Sequence, residues 1–232
     1  MSADVVFLID VDNTLLDNDR IIADLRDHLE ATFGALASEH YWRIFERLRR
    51  ELGYADYLGA LQVFRLENDH ASPGDPRLLM LPSFLVDYPF ADRLYPHALD
   101  VLARLGMLGR TVILSDGDIV LQPRKIQRSG LWKAVDGRVL VYIHKEQRFD
   151  EVRRLYPARR YVMIDDKLRI LAAMKVAMGD RLVTVFPRQG HYAHDPAQVA
   201  DNPSPDCAVE RIGDLLHLDI PALLGSATET LP

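Results

Sequence analysis

Val5-Val6-Phe7-Leu8-Ile9-Asp10-Val11-Asp12-Asn13-Thr14 is the stretch on which the fold turns. Five successive apolar residues, three of them β-branched, predict a strand covered on both faces, as in a parallel sheet. Acidic residues begin where that strand should stop. Ligands of open α/β sheets bind beyond the carboxyl ends of the strands, which puts Asp10 and Asp12 in the expected crevice. If the chain stays extended for two more residues, alternation sends both carboxylates to one side, with Thr14 turning back beside them. Such a group suits phosphoryl chemistry better than packing.

Downstream the period changes. Ile21, Ile22, Leu25, Leu29 and Phe33 recur at helical spacing, as do Tyr41, Ile44, Phe45, Leu48 and Leu52, with Gly34 and Gly53 as stops. A third helix is expected over residues 57–67 and a short fourth over 76–86, separated by the turn-rich Ser72-Pro73-Gly74-Asp75-Pro76. Residues 18–88 therefore read as an all-helical insertion in a core made of residues 1–17 and 89–232. In that core, helices over 97–105, 119–128, 146–155 and 168–178 alternate with strands over 111–114, 139–143, 161–164 and 182–186. The alternation implies a Rossmann-like three-layer α/β fold with a parallel sheet and right-handed crossovers. Residues 187–205, rich in Pro, His, Asp and Gly, read as a long surface loop, either mobile or a flap near the site, and residues 209–218 as a closing helix.

The 232 residues suffice for one sizeable core with an insertion. A net charge of −6 argues against a non-specific nucleic-acid binder. It leaves room for a phosphorylated substrate, which needs only local positive charge. The opening residues carry no basic segment and the apolar run stops at Ile9, too short for a leader or a membrane span. Cys207 is the single cysteine, which excludes an intrachain disulfide, fits a cytoplasmic location and reads as a small buried residue. A monomer and a homodimer are equally compatible with this composition.

Four of the expected strands end in polar residues: Asp10 and Asp12, then Ser115-Asp116, then His144-Lys145, then Asp165-Asp166. Taken singly, such residues are ordinary helix caps and turn formers. Together, two acids, a hydroxyl, a lysine and an acid pair in that order resemble the four motifs of the haloacid dehalogenase (HAD) superfamily, most of whose members are phosphatases. The chemistry has physical demands. A carboxylate attacking a phosphoryl dianion meets like charge, and at ~4 Å a pair of unit charges costs about 4 kcal/mol at an effective dielectric near 20. A cation is needed, and Mg2+ prefers hard oxygen ligands and bound phosphate.

The resemblance implies that Asp10 is the nucleophile, forming an aspartyl-phosphate. It makes Asp12 the acid that protonates the leaving oxygen and then the base that activates water. Lys145 would neutralise Asp10 and the phosphoryl group. Thr14 and Ser115 would hydrogen-bond phosphoryl oxygens, with Asp116, Gly117 and the turn amides after Asp12 and Ser115 completing the substrate-binding set. Mg2+ would be held by Asp10, the Asp12 carbonyl and the Asp165-Asp166 pair. An acid at Asp12 favours phosphate esters over carbon–halogen cleavage, whose leaving halide needs no proton. It also disfavours the phosphonate-cleaving branch, which usually has alanine there.

Some residues depart from the family pattern. Asp116 stands where Asn or Gly is frequent, and an acid near phosphate is unhelpful unless it points away or binds the insertion. Lys167 stands where a small residue is frequent, and Ile170 lacks the acid that often follows. Asp165 and Asp166 would then share the metal, with Asp166 favoured as the direct ligand. Arg124, Lys125 and Arg128 read as the solvated face of a helix. His191, His194 and Asp195 read as exposed loop residues in preference to a metal cluster.

The insertion resembles the C1 type of HAD cap, which closes over the site and excludes water, hinged near Asp17-Asn18 and residues 88–92. Closure favours a small-molecule phosphate. Arg47, Tyr54, Tyr57 and Arg65 are its candidate contacts, each more simply read as helix surface or bundle core. One competing reading is a receiver-like phosphoacceptor or binding module, although its phosphorylated aspartate follows the third strand. Another is a HAD enzyme of a different branch, such as a phosphotransferase or dehalogenase.

Overall fold

The computed structural model describes residues 3–67 and 74–226. After β1 (Ala3–Ile9) come α1 (Asn18–Phe33), α2 (Ala35–Leu52), α3 (Tyr57–Glu67) and α4 (Pro76–Val86), with no strand among the described residues between them. The chain continues through α5 (Ala98–Leu108), β2 (Arg110–Asp116), α6 (Leu121–Arg128), α7 (Leu131–Ala134), β3 (Val139–Tyr142), α8 (Phe149–Leu155) and β4 (Ala158–Ile164). It ends with α9 (Leu168–Met178), β5 (Leu182–Pro187), α10 (Gly190–Ala193), α11 (Pro196–Ala200), β6 (Cys207–Val209) and α12 (Ile220–Ser226). Six strands form one sheet in the order β3-β2-β1-β4-β5-β6, with every neighbouring pair parallel. Among the described residues, no helix is long and apolar enough to cross a membrane.

The central strand explains the layers. Phe7 and Ile9 of β1 pack into one buried cluster with residues of α5 and the helical insertion, while Val6 and Leu8 pack into a second with residues of α8 and α9. Alternation along a strand buried on both faces thus gives the expected three-layer α/β architecture. Register then sets the chemistry. Ile9 lies opposite both Ile113 of β2 and Ile164 of β4, so Asp10 and Asp165 leave the sheet at the same end as Ser115, which lies in the last two residues of β2. The strand order reverses about β1, and that is where a crevice opens in such sheets.

The insertion follows its helical period. Ile21, Leu25 and Leu29 are buried on α1, and Tyr41, Ile44 and Phe45 on α2. Gly53 stops α2 in the left-handed conformation (φ 79°), donating its N–H to the Arg49 carbonyl. Phe45 stacks on Tyr57 at 4.6 Å between ring centres. Ser72 and Pro73 of the expected turn lie outside the described residues, but Asp75 accepts from the Arg77 N–H at 2.8 Å and caps α4, with Pro76 in its first turn.

Three expectations need correction. The two chain crossings pair at Asp17 N–H to Arg93 O (2.8 Å) and Tyr95 N–H to Leu15 O (3.0 Å). On the second crossing Arg93 and Tyr95 lie one and three residues beyond the expected 88–92 segment, and Phe90–Arg93 coils into a 3-10 turn. The closing helix over 209–218 is instead the end of β6 followed by a 3-10 turn, Ile212–Leu216. Its apolar residues Val209, Ile212 and Leu215 are buried as expected, in different local structure. Cys207 is only half-buried, on the outermost strand.

Candidate active site

Lys145 gathers the strand ends. Residue His144 turns in the left-handed conformation (φ 62°) and Lys145 opens a 3-10 turn, Lys145–Gln147, where the helix expected from Glu146 begins only at Phe149. The Lys145 ammonium lies 2.5 Å from Asp10 Oδ1, 2.7 Å from Asp165 Oδ2 and 3.2 Å from the Leu114 carbonyl. Ser115 Oγ also donates to Asp10 Oδ1, at 3.3 Å. Thr14 is completely buried, and its hydroxyl accepts the Asp166 N–H at 3.1 Å, tying the turn after β1 to the turn after β4. Asp10, Asp165 and Asp166 each turn one carboxylate oxygen into a space where all three lie within 4.8 Å of one another.

Like charges at that range, away from water, act on Asp165, Asp166 and Lys145. Burial pushes the Asp165 carboxyl up to about 6 against the opposing pull of Lys145, with Asp10 adding to the rise. Burial raises Asp166 well above the usual carboxylate range, opposed by Lys167 and reinforced by Asp165 and Asp10. For Lys145 burial acts downward, but Asp10, Asp165 and Asp116 more than offset it and hold the ammonium charged. Three buried carboxylates set against the ammoniums of Lys145 and Lys167 still leave negative charge uncompensated. Asp10 Oδ2 and both Asp166 oxygens also lack a hydrogen-bond partner. A hard divalent cation fits that donor set, since all three side chains offer oxygen and the unpaired atoms need a positive partner.

Asp12 is held from an unexpected side. Lys125, expected on a solvated face, is buried, and its ammonium bonds Asp12 Oδ1 at 2.7 Å and Asn18 Oδ1 at 2.9 Å. Gln122 Nε2 reaches Ser115 Oγ at 2.9 Å and Asp12 Oδ2 at 3.4 Å. Gly117 makes room for it: a Cβ there would stand 2.8 Å from Gln122 Cβ. Arg124 and Arg128 are not free either, donating to the carbonyls of Val86 and of Asp87 and Tyr88 at the end of the insertion. Asp116 Oδ1 accepts the Lys145 N–H at 2.7 Å and fixes the turn that delivers the lysine.

Asp12, Asn13, Asp116, Gly117 and Lys167 border a cleft of about 430 Å3. Its opposite lining comes from the insertion and includes Trp42, Arg49, Tyr54 and Tyr57, whereas Arg47 pairs with Glu67 on the exposed surface at 2.9 Å. Arg65 likewise lies outside the lining. Residues 187–205 form α10 and α11 and contribute His191, Tyr192 and Gln198 to the cleft, so they lie beside the site as a flap would. His191 bonds Asp19 of α1 through its backbone N–H (2.8 Å) and Nδ1 (2.6 Å), and the Tyr192 hydroxyl accepts from Arg49 of α2. His194 is exposed. Gly190 allows this approach, because a Cβ there would fall 2.4 Å from Asn13 Cβ.

A doubly wound sheet with carboxylates and a lysine converging at its reversal point, beside a helical insertion, defines a class of α/β hydrolase. The chain belongs to the haloacid dehalogenase-like hydrolases, whose family model matches residues 5–177. It is 64% identical to a haloacid dehalogenase-like hydrolase of Burkholderia xenovorans known from a crystal structure, over 95% of this chain and 99% of that one, with a TM-score of 0.88. A HAD hydrolase of Bacillus subtilis bound to magnesium is 18% identical over 91% of this chain and 96% of that one, with a TM-score of 0.61. L-2-haloacid dehalogenase from Xanthobacter autotrophicus is 19% identical over 94% and 98%, with a TM-score of 0.59. At that identity the last two speak for the fold alone. Comparison with functionally curated proteins gives no match.

Proposed function

We propose that this hydrolase is a Mg2+-dependent phosphatase of small phosphate monoesters that works through an aspartyl-phosphate on Asp10. The observation that carries the reading is the buried Asp10, Asp165 and Asp166 trio with its unpaired oxygens, a charge pattern that has little use in a metal-free carbon–halogen hydrolase. When bound, Mg2+ would supply a Lewis acid that lowers the repulsion between an attacking carboxylate and a phosphoryl group. Asp10, Asp165, Asp166 and the Asp12 carbonyl are the residues that would hold it.

The chain's own groups carry the remaining steps. Lys145 and Ser115 hold Asp10 Oδ1 and so orient the carboxylate for attack on phosphorus. Asp12 lines the cleft with its side chain about a quarter exposed (24%), where it can protonate the departing alcohol and then take a proton from water. Lys125 and Gln122 keep it aimed there. Residues 18–88 act as a cap on the core of residues 1–17 and 89–232, limiting substrates to small molecules. Asp12 is also the feature that favours this reading over dehalogenation, which needs no proton donor at that place.

Hydrolysis of p-nitrophenyl phosphate by purified protein, with and without Mg2+, tests the reading alongside halide release from a 2-haloacid. Metal-dependent phosphate release that disappears in Asp10→Asn is expected. Halide release that is independent of metal, with no phosphate release, would replace the proposal by dehalogenation.

A further inference from the structure

The cleft carries two arginines of the insertion, Arg26 and Arg49, that phosphoryl chemistry at Asp10 does not use. Four acids line it, and each is already engaged by the protein. Asp12 pairs with Lys125. Asp116 accepts the Lys145 N–H. Asp118 accepts the N–H groups of Val120 and Leu121, and Glu46 lies 3.4 Å from Arg49. The cations are less occupied. The Lys167 ammonium makes no hydrogen bond among the described residues; it sits 5.0 Å from the centre of the Tyr192 ring, in the field of Asp166, Asp10 and Asp165. The Arg26 side chain makes no hydrogen bond or ion pair among the described residues, its guanidinium lying 4.7 Å over the Trp42 ring. Arg49 keeps donors to spare beyond Glu46 and the Tyr192 hydroxyl, since a guanidinium carries five N–H groups.

We propose that the substrate carries a second anionic group, bound by Arg49 and Arg26 of the insertion while its phosphate lies toward Lys167 and Asp10. Spacing favours this. Arg49 and Lys167 flank the same Tyr192 ring, at 6.0 and 5.0 Å from its centre, so one small molecule spans them. The cleft's 430 Å3 is several times what a phosphate group alone requires and falls in the range of small-ligand pockets. Stacking on Trp42 orients the Arg26 guanidinium, and a planar, pre-oriented guanidinium is the side chain best shaped for a carboxylate or a second phosphate. Because both arginines come from α1 and α2, the second anion also draws the insertion toward the core.

The inference rests on the phosphatase reading, and matched substrates separate the two. Phenyl phosphate, carboxyphenyl phosphate and a small bisphosphate are compared by kcat/KM with the full chain and Mg2+. A doubly anionic ester is expected to be favoured by about tenfold or more, chiefly through KM, as charge-assisted hydrogen bonds of this kind allow. The ratio between charged and uncharged esters should fall toward one in Arg49→Gln and in Arg26→Gln, and recover partly in Arg49→Lys. The better of the carboxylated ester and the bisphosphate identifies the second group. Equal use of all three esters by the wild type overturns this inference and leaves the phosphatase reading standing. Hydrolysis of none of them overturns both.

Discussion

Asp166→Asn should make the metal-free protein more stable and remove its response to Mg2+. Asp166 is fully buried, neither of its carboxylate oxygens has a hydrogen-bond partner, and the Asp10 and Asp165 carboxylates adjoin it. The amide removes one charge from the trio and offers N–H donors to its neighbours. Relieving one buried, unsatisfied group is worth about 1–3 kcal/mol. In a chain of this length 2 kcal/mol corresponds to a rise of about 4–8 °C in Tm. The pH dependence has a definite sign. Asp165 is pushed up to about 6 and Asp166 is raised well above the usual carboxylate range. Groups raised above their unfolded value contribute stability that is complete below about pH 4 and is lost as pH climbs through the folded value. The metal-free wild type should therefore lose stability from about pH 4 through 6 and beyond, and the advantage of Asp166→Asn should be larger at pH 8 than at pH 5. Below that window Asp19, Asp24 and Asp206, each held low by its hydrogen-bond partners against the effect of burial, act in the opposite direction. Thermal denaturation in EDTA at the two pH values, followed by Mg2+ titration, is the assay. At 100 times its Kd, Mg2+ should add about 2.7 kcal/mol to the wild type and far less to the variant. A lower Tm for Asp166→Asn in EDTA, or an equal response of both proteins to Mg2+, refutes the reasoning.

Lys145→Met leaves Asp10 and Asp165 buried without their cation. It should cost about 3–5 kcal/mol in urea unfolding and abolish turnover, and near-normal stability would count against the lysine as the hub of the site. Lys125→Met strands the buried Asn18 oxygen and frees Asp12. Activity should drop about 10–100-fold, more for esters with poor leaving groups, with a stability loss of about 1–3 kcal/mol, and an unchanged leaving-group dependence would detach Lys125 from Asp12. Gly190→Ala puts a Cβ against Asn13 at a left-handed residue (φ 71°). It should destabilise by about 1–3 kcal/mol and quicken proteolysis within residues 187–205, whereas wild-type cleavage rates would mean that the segment does not rest on the Asn13 turn.

Much of the fold was legible because its determinants are local. β1 announces itself by an unbroken apolar run, and helices 57–67, 76–86 and 168–178 match α3, α4 and α9 end to end, since apolar period, a capping aspartate or a stopping glycine marks their limits. β6 was not legible. Three residues are too few for alternation to register, and Cys207–Val209 becomes a strand only because β5 offers an open edge, with Asp206 accepting from the backbone N–H and hydroxyl of Thr184, each at 2.8 Å, to dock it. The 187–205 segment, likewise, takes its form from tertiary partners on α1 and α2 that no local pattern announces.

The site divides along the same line. Asp10, Lys145 and Asp165 follow strands and Ser115 lies in the last two residues of β2, and parallel register carries strand ends to one edge, so order along the chain was enough to gather them. Lys125 and Gln122 sit on a helix, where position around the axis decides, and three basic residues close in sequence look alike until their faces are separated. Leu121 and Lys125 are four apart and share a face, with Gln122 and Ile126 beside them, while Arg124 and Arg128 share another. A lysine on the apolar side of a helix has to meet an anion, because a lone buried ammonium would lose its charge. With Asp12 left at the crevice by β1, and α6 following β2 beside it in the sheet, a partner for that anion was already implied by the period of the helix.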